Sequence, residues 1–290
     1  GLFILLSCSK EGESSTLPEP VSGPLTLTML APLEDTLSES SGLLAFGDEF
    51  MSHNDSGNAN ALYGFNPNTA KITDTFVLDT STNTDWEDLA QDASHIYIGD
   101  IGNNNGTRKD LRIYKVAKEQ LTAVDSQELL VETISFSYAL QNSFTPTPFR
   151  TNFDAEALVV VQGDLYVFTK NWGNQKTDIY KISTIPGVYE AEHIGTLDIA
   201  GFVTAADFDI ESNSLVLIGY SLQSPFLVQM DAVHLQDIPN SNFERYELQV
   251  PLTFSKQLEA VCFFESYLYF TSEQNSDGAG GLFRLEISAL

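Results

Sequence analysis

Short apolar runs recur along the chain in five units that share one spacing. Each unit begins with a small cluster, at residues 41–43, 87–89, 156–158, 206–208 and 259–261. Seven residues after the apolar member of each cluster stands an apolar residue that opens a second run, and a third run follows in every unit. A period of roughly 50 residues with several short strands per unit indicates radial repetition of one supersecondary unit.

The runs are rich in β-branched and aromatic residues and are separated by Gly, Asn, Asp and Ser, which predicts strands rather than helices. Four strands fit each unit; in the second they start near Glu87 and at residues 95–100, 111–116 and 130–138. The fifth unit ends without a fourth strand, whereas a spare strand at residues 25–30 precedes the first cluster. A closed propeller pairs its first strand into its last sheet, so the spare strand is expected to complete the fifth unit. We therefore predict an all-β chain. Its predicted fold is a five-bladed β-propeller of four-stranded blades, closed by an N-terminal strand in the last blade, as a single domain over residues 25–290.

The first strands of a propeller surround its central axis, so equivalent positions form a ring. The predicted ring is Ser41, Glu87, Glu156, Ala206 and Glu259. Three carboxylates brought together would raise one another's pKa, and a hard cation such as Ca²⁺, which takes oxygen ligands, would remove the repulsion. A water-filled channel lined by solvated acids is the alternative. Further oxygens stand two residues before the ring positions, on Asp85, Asp154, Thr204 and Gln257.

Alternating strand direction brings the start of each first strand and the end of each second strand to one face. The candidate ligand-binding residues on this face are Asn54, Asp55, Asp100, Lys170, Asn171 and Glu273. Arg150 joins them from residues 141–153, the longest connection between units, where an arginine could clamp a phosphate or a carboxylate. Local charge balance at an acidic rim is the alternative reason for that arginine.

The charge balance excludes one class of partner. The chain has 40 acidic and 14 basic side chains, a formal net charge of −26. Such a field repels a phosphate backbone, so we expect no nucleic-acid binding. The expected ligand of the polar face is a small molecule, a glycan or a peptide, and we expect a monomer.

The first residues predict a membrane anchor. Leu5, Leu6 and Ser7 precede Cys8 in a pattern that resembles a bacterial lipobox, and residues 1–8 are interpreted as the remnant of a signal peptide. Residues 9–24 are rich in Ser, Glu, Pro and Gly, as in a flexible tether. We therefore expect lipidation of Cys8 and anchoring in the bacterial cell envelope, at the outer membrane or cell surface, with no other membrane contact.

Several short motifs resemble known families. Ser-Gly-Leu at 41–43, Asn-Asp-Ser-Gly at 54–57 and Glu-Ala-Leu at 156–158 resemble the esterase-like phytase propellers. The five units with a Ser/Glu/Glu/x/Glu ring are similar to the calcium-activated nucleotidases, or apyrases. That resemblance implies a central Ca²⁺ held by Ser41, Glu87, Glu156 and Glu259, and cleavage of nucleoside di- and triphosphates. Ala206 departs from the apyrase pattern, in which a serine stands.

Three functions are therefore compatible with the sequence. The first is Ca²⁺-dependent hydrolysis of a phosphoester or phosphoanhydride, with the metal polarising phosphoryl oxygens. The second is a non-catalytic module that binds a peptide or glycan and carries a structural cation. The third is a glycosidase that uses two of the ring carboxylates. The spacing of Ser, His and Asp marks no catalytic triad.

Overall fold

The structure is a computed structural model that describes residues 23–122, 128–221, 224–232, 235, 237, 242–276 and 278–290. The predicted signal-peptide remnant with its lipobox at Cys8, and residues 9–22 of the predicted tether, lie outside the described residues. Within them, no helix has the length and the hydropathy needed to cross a membrane.

The described chain is built from strands and contains almost no helix, which confirms the all-β prediction. The strands are β1 (Leu25–Thr26), β2 (Thr28–Pro32), β3 (Ser40–Phe46), β4 (Glu49–Asn54), β5 (Ala61–Phe65), β6 (Ile72–Leu78), β7 (Trp86–Gln91), β8 (His95–Asp100), β9 (Arg112–Ala117), β10 (Glu128–Leu129), β11 (Glu132–Tyr138), β12 (Ala155–Val161), β13 (Asp164–Thr169), β14 (Thr177–Ser183), β15 (Gly187–Leu197), β16 (Phe202–Asp209), β17 (Ser214–Tyr220), β18 (Pro225–Asp231), β19 (Glu244–Gln249), β20 (Leu258–Phe264), β21 (Tyr267–Ser272) and β22 (Gly281–Glu286). Short 3-10 helices occupy Asp35–Leu37, Lys118–Thr122 and Ile287–Ala289.

The strands form sheets of unequal size, whereas the sequence predicted four strands in every blade. The strand orders are β10-β6-β5-β4-β3, β12-β13-β14-β15-β11-β9-β8-β7, β1-β19-β18-β17-β16 and β2-β22-β21-β20. Two differences follow from parallel pairing at outer edges: β10 adds to β6, and β1 adds to β19. The eight-stranded sheet arises because β11 pairs in parallel with β15, which joins two antiparallel units through their outermost strands.

The N-terminal segment closes the last sheet in the predicted way but divides between two sheets. β2 pairs antiparallel with β22, as expected for the strand that completes the fifth unit. The segment just before it, β1, pairs with β19 instead. The turn lies at Leu27, whose buried side chain packs in the core between those two sheets. The prediction of a single strand over residues 25–30 is therefore wrong, because two strands that pair with different sheets occupy this segment.

The first strands of the five units contact one another in cyclic order: β3 with β7, β7 with β12, β12 with β16, β16 with β20, and β20 with β3. A buried apolar cluster lies between each neighbouring pair of units. Adjacent residues of one strand serve two clusters, since Leu43 packs on one side of β3 and Leu44 on the other. Strand alternation explains this arrangement, because successive side chains point to opposite faces of a sheet.

Candidate functional site

A β-bulge interrupts each of the five first strands near its start. In each case two residues of the first strand lie opposite one residue of the second strand. The extra residues are Gly42, Glu87, Glu156, Thr204 and Glu259. Bulges redirect side chains and are common beside binding sites, and here they place three glutamates at equivalent positions of the first strands β7, β12 and β20.

The bulges correct two positions of the predicted ring. Gly42, not Ser41, is equivalent to the glutamates in the first unit, and Thr204, not Ala206, is equivalent to them in the fourth. Gly42 has a φ of +68°, and a Cβ there would lie 2.8 Å from the Leu89 amide nitrogen, so only glycine fits. Matching short motifs hid the offset, because the bulge stands one residue before the apolar cluster residue in the first unit, two before it in the second and four before it in the fourth.

The predicted metal ligands nevertheless meet in one pocket of about 200 Å³. Its lining contains Ser41, Glu87, Glu156 and Glu259, three of the predicted ligand-binding residues, Asp55, Lys170 and Glu273, and also Asn104, Phe149, Trp172, Tyr220 and Gln257. A water takes about 30 Å³ in the liquid, so the pocket holds roughly six or seven waters. That is space for a cation and part of a small ligand whose remainder lies at the mouth, since pockets for drug-sized ligands are about 300–1,000 Å³.

The other predicted ligand-binding residues do not line this pocket. Asn54 and Asn171 are buried; Asn54 donates to the Thr36 carbonyl, and Asn171 donates to Asp178. Asp100 is fully buried, pairs with Arg108 at 2.9 Å and accepts the Asp85 amide at 3.0 Å. Arg150 is exposed. Its connection does reach the pocket, but the residue that it presents there is Phe149.

Lys170 supplies a fixed positive charge inside the pocket. Its Nζ lies 3.1 Å from Glu156 Oε2, and both residues are about 95% buried (5% and 4% exposed). The ammonium also lies 4.9 Å from the ring centroid of Trp172 and 5.2 Å from that of Tyr220. Burial alone would lower the pKa of Lys170, but the charge of Glu156, and that of the nearby Glu259, hold it well above the usual value. Glu156 is therefore compensated without a metal.

Among the described residues, the members of a second group of acids form no ion pair. One carboxylate oxygen from each of Asp55, Asp85 and Glu87 lies within 4.8 Å of the other two. Burial, reinforced by neighbouring carboxylates, raises the pKa of Asp85 to about 7 and that of Glu87 well above its usual value. Ca²⁺–oxygen distances are about 2.3–2.6 Å, and an ion placed between three oxygens at this spacing lies within about 2.8 Å of each. The residues therefore fit a hard cation.

Gly102 explains how two of these carboxylates can approach the same point. A Cβ on Gly102 would lie 2.1 Å from Glu87 Oε1 and 2.4 Å from Asp85 Oδ2. The carboxylates thus pack directly on the backbone of the loop that follows β8. The sequence pattern offered Asp85 as a further oxygen beside the ring and not as a member of it, because the period of the strand says nothing about how closely a loop backbone approaches.

Glu259 is a further acid of the pocket, and it is almost fully buried. It is 5% exposed, and its Oε1 has no hydrogen-bond partner. Burial raises the pKa of Glu259 to about 7, although the charge of Lys170 acts in the opposite direction. Glu273 lies beside it on the pocket wall, accepts a hydrogen bond from Gln257 at 3.2 Å, and has its pKa raised by burial to about 9. Glu259 therefore titrates near neutral pH, whereas Glu273 stays protonated there.

No protein-family model matches the sequence. The search of curated proteins found no relative. Among solved structures, the chain is similar to the exo-β-1,3-galactanase of Phanerochaete chrysosporium, with a TM-score of 0.53 at 9% identity over 90% of this chain and 65% of that one. It is also similar to an α-L-arabinofuranosidase of Podospora anserina (TM-score 0.49, 9% identity, 92% and 98% covered) and to the aldose sugar dehydrogenase of Streptomyces coelicolor (0.49, 10%, 90% and 97%). The likeness to the galactanase shows a β-propeller-like fold and, at this identity, nothing about the chemistry of the site.

Proposed function

We propose that the chain is a five-bladed β-propeller whose axial pocket binds Ca²⁺ and uses it to hydrolyse a small ligand. The observation that carries the proposal is the convergence of oxygens from Asp55, Asp85 and Glu87 within 4.8 Å of one another. The cyclic contacts of the first strands support the five-bladed arrangement. By the lipobox resemblance, we also propose that Cys8 anchors this propeller in the bacterial cell envelope.

This ligand set replaces part of the ring that the sequence predicted. The Glu156 carboxylate is already paired with the Lys170 ammonium at 3.1 Å. The Ser41 hydroxyl donates to the carbonyl of Glu87 and so is already engaged. Asp55 and Asp85 take their places in the proposal, because their oxygens lie near Glu87 and, within the described residues, neither carboxylate forms an ion pair with a lysine or arginine.

In this proposal the cation and Glu259 have different chemical roles. A bound Ca²⁺ supplies Lewis-acid polarisation of a ligand oxygen and orients water. Glu259 acts as the acid or base, because a pKa of about 7 lets it both accept and release a proton near neutral pH. Lys170 keeps the charge of Glu156 balanced by an ion pair, which leaves Asp55, Asp85 and Glu87 to attract the cation.

Thermal unfolding in EDTA and in excess Ca²⁺ tests the site. A ligand bound only by the folded state at 100 times its dissociation constant stabilises it by about 2.7 kcal/mol, a Tm rise of roughly 5–10 °C for a domain of this size. Gly102→Ala should abolish the rise, because the new Cβ would occupy the place of the two carboxylates. Gly23→Ala is the matched control, since nothing lies within 4 Å of a Cβ there.

Equal Tm values in EDTA and Ca²⁺ would refute the cation site. A normal Ca²⁺ response in Gly102→Ala would refute the proposed ligands while leaving cation binding intact. Turnover of chromogenic esters and glycosides by the wild type, lost in Glu259→Gln, tests the hydrolytic part. Cation binding without any turnover would identify a structural ion in a non-catalytic binding module.

A further inference from the structure

Phe149 is an exposed aromatic residue held at the pocket in an unfavourable backbone conformation. The residue is 62% exposed and has a φ of 51°, in the left-handed region that bulky side chains avoid. Its amide donates to the carbonyl of Asn104 at 3.1 Å, and both residues line the pocket. Strain of this kind persists where the surroundings enforce it, and it is concentrated at ligand sites. Because most of the Phe149 ring is exposed, the burial of apolar surface does not explain why the ring lies at the pocket.

Trp172 braces this ring from the pocket wall. The ring centroids of Phe149 and Trp172 are 5.1 Å apart at 79°, an edge-to-face contact. The indole nitrogen donates to Asp154 Oδ2 at 2.7 Å, and fully buried Asp154 also accepts the Asn103 amide at 2.6 Å. The indole is therefore fixed on both its apolar and its polar side. Phe149 is left as a rigid aromatic surface facing solvent at the mouth of the pocket.

The charge of the lining decides which ligands suit that surface. The acids are Asp55, Glu87, Glu156, Glu259 and Glu273, and Lys170 is the only basic residue among the described residues of the lining. Even with Glu273 protonated and one divalent cation bound, one formal negative charge remains in excess, which disfavours a phosphoryl group by like-charge repulsion. Arg150, the predicted anion clamp, does not line the pocket.

The unpaired oxygen on Glu259 points to a ligand that donates hydrogen bonds. Glu259 Oε1 is buried without a partner, and a buried acceptor left unpaired is unfavourable. Neutral hydroxyl groups can donate to such carboxylates and can also bind Ca²⁺ through their oxygens. A ring that carries hydroxyls on its edge and C–H groups on its faces satisfies the carboxylates and an aromatic surface together.

We infer that the pocket binds a neutral carbohydrate ring, with hydroxyls directed to the carboxylates and the cation, and that Phe149 is the platform against which one face of the sugar packs. This inference rests on the proposed function, because it assigns a substrate class to the same pocket.

Intrinsic fluorescence provides the assay. The chain has two tryptophans, and Trp86 is fully buried, so a ligand-dependent change reports on Trp172 at the pocket. The probes are methyl glycosides of common hexoses and pentoses in both anomeric forms, each titrated in excess Ca²⁺, with inorganic phosphate in parallel. We expect a saturable change with at least one methyl glycoside and none with phosphate.

Phe149→Gly separates a ligand platform from a structural role. Glycine accepts the positive φ, so its Tm should equal or exceed that of the wild type. Its affinity for the methyl glycoside should fall about tenfold, the loss expected for one aromatic contact. Phe144→Ala is the matched control in the same connection; Phe144 packs under Lys109 at 4.6 Å, does not line the pocket, and should bind the glycoside normally.

The inference is overturned if no methyl glycoside binds, if phosphate binds in its place, or if Phe149→Gly binds as tightly as the wild type. The Tm rise with Ca²⁺, measured on the same samples, keeps this result separate from the proposed cation site. A Ca²⁺ response without glycoside binding refutes the substrate class alone, whereas the loss of both refutes the proposed function.

Discussion

Replacing Lys170 with methionine tests whether the pocket carries its own counter-charge. Methionine keeps most of the length of the side chain and removes the ammonium that lies 3.1 Å from Glu156 Oε2. Removing one partner of a buried ion pair costs about 3–5 kcal/mol, because the other charge remains buried without compensation. We expect about 3 kcal/mol, at the lower end, since burial already raises the pKa of Glu156 and the carboxyl can take up a proton. For a chain of this size that lowers the Tm by about 6–12 °C.

The assay is urea or thermal unfolding in EDTA of Lys170→Met, Glu156→Gln and the double variant. The double variant leaves no unpaired charge at this position, so it should be more stable than Lys170→Met by about 2 kcal/mol. Lys176→Met is the control; its pair with Asp198 is 39% and 44% exposed, and exposed pairs contribute at most about 1 kcal/mol. The reasoning fails if Lys170→Met loses less than about 1 kcal/mol, or if the double variant gains nothing over it.

Two further predictions concern buried carboxyls. Burial raises the pKa of Glu259 from 4.5 to about 7, so the folded protein keeps a proton that the unfolded chain releases, and the contribution of Glu259 to the free energy of unfolding in EDTA should fall by about 1.4 kcal/mol per pH unit over that window. Glu259→Gln should remove that contribution, and stability that rises from pH 5 to 7 would contradict the assignment. Asp88 Oδ2 accepts the amides of Leu158 at 3.0 Å and Ala206 at 3.1 Å, so Asp88→Ala should cost about 3 kcal/mol or more by leaving them unpaired. Native-state hydrogen exchange should then accelerate at both amides, and unchanged protection would show that the carboxylate does not hold the strands together.

The strands were largely predictable from the sequence, because each is an apolar run bounded by turn residues. β8 at His95–Asp100 matches the predicted second strand of its unit, and β9 is displaced by one residue. The pairing between outer strands was not predictable. β11 and β15 are far apart in sequence, and no local pattern specifies that two outer edges of neighbouring units will meet in parallel.

The pocket was predictable in place but not in detail. The three ring glutamates and Lys170 do converge, because alternating strand direction fixes which ends share a face. The partner of Lys170 depends on side-chain reach, which the spacing does not contain. Likewise, the connection over residues 141–153 does reach the site. The side chain that it places there is the Phe149 ring and not Arg150, and the positive φ of Phe149 that accompanies this placement is not visible in the sequence.

The pairing of outer strands also bears on colloidal behaviour. An all-β protein risks edge-to-edge association wherever a long outer strand is left open. Here β10 covers part of β6, β1 covers part of β19, and β11 and β15 cover each other. In the four-stranded sheet the outer strand is β2, which is short and ends at Pro32, a residue with no amide hydrogen to donate. These covered edges leave few unpaired backbone groups with which a second copy could form strand pairs. The net charge of −26 adds repulsion between copies, so the protein should stay dispersed at high concentration.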